Sequence, residues 1–131
     1  MKVTARRRSG YAHDVETDTG HTFLLDEPVS EGGKDEGPSP SRMLGASLAA
    51  CTAITVEMYA DRKGWDLGDL EVVVEAELAG KTGPSKFDVL LRLPKALDAE
   101  QQRRLLIVAS KCPVHRALSH EAEFHDHAER V

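Results

Sequence analysis

Hydrophobic and polar positions along the chain fall into blocks of different period, and each block predicts an element. Residues 2–26 hold three short segments, Lys2 to Arg8, Ala12 to Thr17 and His21 to Asp26, cut by Ser9-Gly10 and Asp18-Thr19-Gly20. Glycine and aspartate at those breaks are turn residues, so the spacing predicts a three-stranded hairpin or meander. Residues 31–40 carry too many glycines, prolines and charges for regular structure and read as a loop. From Met43 to Val56 charge disappears. Leu44, Ala46, Leu48, Ala49, Ala50, Ile54 and Val56 cover most of a helical circumference, which predicts a long helix over 41–63, ended by Gly64 and buried on several sides. Leu70 to Leu78 and Phe87 to Leu93 are β-rich and are joined by a Gly/Pro/Ser loop, the pattern of an antiparallel pair. Asp98 opens a helix running through Leu105, Leu106 and Val108. Cys112-Pro113 interrupts it, and a short turn restarts at Pro113, because proline suits a first helical position. The weak alternation from Glu121 to Val131 predicts a final strand. Strands in groups with separate helices define an α+β fold.

Length and charge narrow the function classes. A chain of 131 residues suits one folding domain spanning the whole sequence. With 40% hydrophobic but only 5% aromatic residues, its core must be built largely from Leu, Val, Ala and Ile. The net charge is −5 and the basic residues are scattered apart from Arg6-Arg7-Arg8, so there is no footprint for nucleic acid. That arginine run reads as a solvated strand. The start of the chain lacks the apolar core of a secretory signal, and no segment looks like a membrane span of ~18 apolar residues. The expectation is a soluble, cytoplasmic protein without a membrane or nucleic-acid partner. In a reducing compartment its two cysteines, if they pair, pair transiently.

Cys51 lies mid-helix in Ala49-Ala50-Cys51-Thr52-Ala53, where a free cysteine is most often a small core residue. Ser47 and Thr55, one turn to either side, give its face a polar stripe that suggests a cleft. Cys112 precedes the predicted start at Pro113, so its sulfur should cap that helix, where N–H groups and the helix dipole favour a thiolate. Lys111 and His115 add nearby positive charge. The bland alternative is a cysteine that only caps. Cys112, His115, His120, His125 and His127 are also metal-ligand types, with His125 and His127 sharing one face of a strand. A Cys-x-x-His unit without a second close pair does not make a structural zinc site, and neither a metal nor a cofactor is expected.

Two stretches resemble a known family. Gly37-Pro38-Ser39-Pro40, then Leu44 to Thr55 with Met58-Tyr59-Ala60-Asp61-Arg62-Lys63-Gly64-Trp65, resembles the central helix of the OsmC/Ohr family. Cys112-Pro113-Val114-His115-Arg116-Ala117-Leu118 is similar to that family's second-cysteine motif. The motifs occur in family order, and the resemblance covers nearly the whole chain. It implies antiparallel sheets around a long central helix in an intertwined homodimer of single-domain subunits, with the thiol sites near the subunit interface. It also implies a hydroperoxide substrate, with Cys51 as the peroxidatic and Cys112 as the resolving cysteine. Thiol chemistry then gives a Cys51 sulfenic acid and a Cys51–Cys112 disulfide, which an external dithiol reduces. In the family that reductant is often a lipoyl-bearing protein.

One feature departs from the family pattern. Members with strong organic-hydroperoxide activity carry a Glu after the loop proline, paired with an Arg from the preceding segment. Here the Glu position is Ser41, and no arginine occurs between Arg8 and Arg42. Arg42 lies roughly half a turn out of phase with Cys51, and Glu57 sits about 120° around the helix from it. The alternative to a peroxidase is therefore a redox sensor or small-molecule binding protein that uses the same thiols once rather than in turnover.

Overall fold

The computed structural model describes all of residues 1–131. They form two compact units, Met1–Ala46 with Leu78–Pro84, and Ser47–Glu77 with Ser85–Val131.

In the first unit, β1 (Val3–Ser9), β2 (Ala12–Thr17) and β3 (Thr22–Leu25) form an antiparallel meander in that order. The register runs from Val3 opposite Thr17 to Ser9 opposite Ala12, with an irregularity between Arg7 and Ser9. Ala12 and Val15 are buried, whereas β1 is exposed along nearly its whole length. Its arginines pair across the ladder, Arg6 with Glu16 at 2.9 Å and Arg8 with Asp14, as a solvated strand allows. Exposed pairs of this kind each contribute about 0–1 kcal/mol.

The segment after β3 is organised by one carboxylate. Asp26 is 2% exposed and accepts the backbone N–H groups of Glu27 at 2.8 Å, Lys34 at 3.1 Å and Glu36 at 3.2 Å. Burial pushes this carboxyl up, but the three N–H groups and the Lys34 charge outweigh it, leaving its pKa below the ordinary carboxylate value. Gly33 passes so close to the Glu27 carbonyl that a Cβ there would collide with it. A group with a lowered folded-state pKa stabilises above its unfolded value, near about 4 for Asp, and loses that contribution as pH falls through the folded value. Asp26→Asn has one acceptor oxygen for three donors and should loosen residues 27–36 at neutral pH. Faster hydrogen exchange at the Lys34 and Glu36 amides is the expected result, and unchanged exchange would refute it.

Helix α1 (Pro40–Lys63) begins where Ser39 caps it, through Ser39 Oγ to the Arg42 N–H at 3.3 Å, with Pro40 in the first position. It ends in a Schellman motif. Gly64 adopts φ 68°, its N–H donates to the Asp61 carbonyl at 3.1 Å, and the Trp65 N–H reaches the Ala60 carbonyl at 2.9 Å. The left-handed position explains why glycine stands there.

In the second unit, β4 (Glu71–Glu77) pairs with β5 (Lys86–Arg92) from Glu71 opposite Arg92 to Glu77 opposite Lys86. Along β5 Phe87, Val89 and Leu91 turn inward and alternate with exposed residues. Helix α2 (Ala99–Ala109) starts with a capping box formed by Asp98 and Gln101, and α3 (Pro113–Ser119) follows. The core joins Val56 and Ala60 of α1 to Leu67, Leu97, Leu105 and Ala109, with Tyr59, Trp65, Leu70, Leu91 and Leu93 packed around them. The Tyr59 and Trp65 rings meet edge to face at 5.7 Å.

Three helices and two small antiparallel sheets give the α+β class expected from the sequence. Three expectations are corrected. Residues 121–131 form no strand: the segment is exposed, Phe124 is 81% exposed, and nothing pairs with it. His125 and His127 therefore do not share the face of a strand. Helix α1 is not buried on several sides; it buries one stripe, Leu48, Thr52, Val56 and Ala60, while Ile54 and Met58 are each 56% exposed. An apolar circumference says how much surface could be covered but not which neighbours cover it. Finally, α1 is long and apolar enough to cross a membrane by length and composition alone, contrary to the reading that no segment comes near this. Its buried stripe at i, i+4, i+8 and i+12 is also what a core helix displays.

Candidate active site

Cys51 sits on the second unit's part of α1, next to Thr52 of the buried stripe, and is partly exposed. Cys112 comes from the break between α2 and α3. There the α2 ladder is exhausted, Cys112 N–H bonds back to the Ala109 carbonyl at 3.3 Å, and proline sets the next helix in motion. Cys112 is the α3 N-cap, with φ −61° and ψ 145°, and its sulfur accepts the His115 N–H at 3.2 Å. It is 0% exposed. The capping position read from Cys112-Pro113 is the one observed.

The fold brings these two distant free cysteines together. The Cys51 thiol faces the Val114 N–H, the Cys112 thiol and the Thr55 hydroxyl. The Cys112 sulfur lies 3.7 Å from the hydroxyl of Thr52, which is 1% exposed. Each sulfur thus has one hydroxyl from α1 and one backbone N–H from the first turn of α3.

The electrostatics do not favour ionisation of Cys51. Burial raises its pKa first, the Val114 N–H lowers it, and proximity to Cys112 raises it again; the Thr55 hydroxyl lowers it slightly. The outcome is a thiol shifted upward. No arginine, lysine or histidine is among the groups that set it. His115, expected from sequence to lend positive charge, is half-buried and turns its Nδ1 to Ser119 Oγ at 3.2 Å. Lys111 is exposed. A cavity of about 190 Å³ opens beside the site, bordered by Thr52, Phe87, Val89, Leu106, Ser110 and His115.

The sequence points to Thr55 as a polar neighbour one turn from Cys51, but not to Thr52 or the Val114 N–H. The signal for Thr52 was available: it is the single polar residue in the stripe Leu48, Thr52, Val56, Ala60.

An α+β chain thus sets a partly exposed thiol on a long helix against a capped, buried one. The family described as OsmC-like protein matches residues 33–125, and the chain belongs to that family. Among solved structures it is similar to an OsmC-like protein from Mycoplasma pneumoniae (18% identity, TM-score 0.75), covering 90% of this chain and 86% of that one. It is similar to the organic hydroperoxide resistance protein OsmC from Legionella pneumophila (23% identity, TM-score 0.63), with 90% and 89% covered. It is also similar to the organic hydroperoxide resistance protein OhrB of Bacillus subtilis (29% identity, TM-score 0.58), with 88% and 87% covered. No curated protein matches the chain.

Proposed function

We propose that the protein is a thiol peroxidase that reduces organic hydroperoxides or hydrogen peroxide in oxidative-stress defence. The observation that carries this is the meeting of two free cysteines from remote parts of the chain, one reachable and one sealed. Membership of the OsmC-like family supports it, as do solved structures of similar fold named for organic hydroperoxide resistance. The Cys51 thiolate attacks the terminal peroxide oxygen, the O–O bond breaks, and the alkoxide leaves and takes up a proton. Cys51 becomes a sulfenic acid, oxidised by two electrons. Cys112 then attacks the Cys51 sulfur; the S–S bond forms, the S–O bond breaks, and hydroxide leaves as water after protonation. An external dithiol, of the lipoyl-protein type, returns both thiols. The chain acts as one OsmC-like domain of a cytoplasmic homodimer, and the exposed Ile54 and Met58 on α1 supply an apolar surface suited to a second copy.

The test is to mix reduced protein with cumene hydroperoxide under dithiol recycling. Many equivalents of peroxide consumed per protein, with a Cys51–Cys112 disulfide as the intermediate, are expected; no consumption beyond the dithiol blank overturns the reading.

A second reading follows from the raised Cys51 thiol with no cation to stabilise its anion. A redox sensor or small-molecule binding protein would oxidise once and slowly, and a single equivalent consumed without turnover would identify it.

The pH profile has a definite sign. Only the thiolate attacks, and its fraction grows tenfold per pH unit below the pKa. Since Cys51 lies above the ordinary thiol value of about 8.5, the rate of its oxidation should climb through pH 8.5 without levelling. Stopped-flow oxidation between pH 6 and 10 checks this; a plateau below pH 7.5 would mean that a positive group arms the thiol.

A further inference from the structure

Thr52 is a hydroxyl in a position that packing alone would give to valine. It is 1% exposed, lies in the stripe between Leu48 and Val56, and places its oxygen 3.7 Å from Cys112 Sγ. The same sulfur accepts the His115 N–H at 3.2 Å from the other side, so it is held between α1 and α3.

We propose that Thr52 is a positioning residue for the disulfide-forming step, its hydroxyl steadying the Cys112 sulfur as that sulfur takes on negative charge and turns toward Cys51. This rests on the reading of Cys51 and Cys112 as the reacting pair. While Cys112 carries its proton, the thiol can donate to the Thr52 oxygen; a thiolate has no proton to give, so the hydroxyl must rotate and donate instead. One contact thus serves both states without movement of either backbone. As a thiolate, Cys112 then has two donors, the Thr52 hydroxyl and the His115 N–H, and hydrogen bonds to a charged acceptor are the stronger kind. Threonine is suited to this because its hydroxyl can either donate or accept across the same 3.7 Å contact.

The step itself balances. The Cys112 thiolate attacks the sulfur of Cys51–S–OH, the S–S bond forms as the S–O bond breaks, and hydroxide departs to be protonated. One sulfur is oxidised, the other is reduced, and Thr52 is unchanged.

Thr52→Val keeps the shape and removes the hydroxyl; Thr52→Ala removes the hydroxyl together with the γ-methyl and serves if valine disturbs folding; Thr52→Ser restores the oxygen. With one equivalent of cumene hydroperoxide, Thr52→Val should form the Cys51 sulfenic acid at the wild-type rate but close the disulfide about tenfold more slowly, the size expected for one lost charge-assisted hydrogen bond. The sulfenic acid then becomes trappable with dimedone, and Thr52→Ser should return closure to within about twofold of wild type. A merely structural role would instead lower thermal stability and slow both steps together. Diamide separates this inference from the peroxidase reading. It oxidises Cys51 to a sulfenyl hydrazide that Cys112 displaces, giving the same disulfide and a hydrazine. If peroxide fails in the wild type while diamide closure is still slowed by Thr52→Val, the peroxidase reading falls and the role of Thr52 stands. Equal closure rates for wild type and Thr52→Val with diamide overturn the inference.

Discussion

Cys51→Ser should abolish consumption of cumene hydroperoxide, a loss of at least about 10³-fold, because a serine hydroxyl has almost no anion at neutral pH and is no nucleophile toward an O–O bond. Cys112→Ser should do something different. It leaves the first attack possible but removes the sulfur that forms the disulfide, so one equivalent of peroxide is consumed and the Cys51 sulfenic acid persists. Mass spectrometry after dimedone labelling distinguishes the two variants, with an adduct on Cys112→Ser and none on Cys51→Ser. The asymmetry follows from exposure, since Cys51 is partly open while Cys112 is 0% exposed and cannot be the first thiol a peroxide meets. A dimedone adduct on Cys112 in Cys51→Ser would reverse the assignment.

The largest stability effect is expected at Leu105. Its side chain is 0% exposed and lies among Val56, Ala60, Leu67, Leu97 and Ala109, so it ties α2 to α1 through the core of the second unit. Leu105→Ala removes buried methyl groups and leaves a cavity whose walls are already fixed by two helices. The loss should be about 2–5 kcal/mol, read as a lower urea midpoint at unchanged slope. A loss under about 1 kcal/mol would mean that the helices close around the gap.

Much of this architecture could be read before the coordinates, for local reasons. Gly64 after Arg62-Lys63 marks a helix end because the Schellman turn there takes φ 68°. Cys112-Pro113 marks a cap because proline tolerates only the first positions of a helix. The β4 and β5 boundaries came within a residue or two, since glycine and proline bracket them. What stayed hidden depends on partners remote in sequence. Nothing local says that Thr52, rather than Ser47 on Cys51's own face, meets the second sulfur; that follows from where α3 begins. Asp26 reads as a strand-end residue until Lys34 and Glu36 are seen to fold back onto it. The strand expected over residues 121–131 is absent for the opposite reason: Ala122, Phe124 and Ala128 alternate with polar residues, but alternation makes a strand only where another strand offers its hydrogen bonds.

Pro113 has one further consequence. The opening turn of α3 can offer few free amides: the proline has none, Val114 addresses one sulfur, His115 the other, and Arg116 is already bonded to the Cys112 carbonyl at 3.0 Å. Two of the three amides at that corner are committed to the protein's own thiols and the third to its backbone. In the proposed peroxidase reaction, an alkoxide expelled at Cys51 would therefore find no vacant amide in this turn to cradle it, and its proton would come from a side chain or from solvent at the open flank of Cys51.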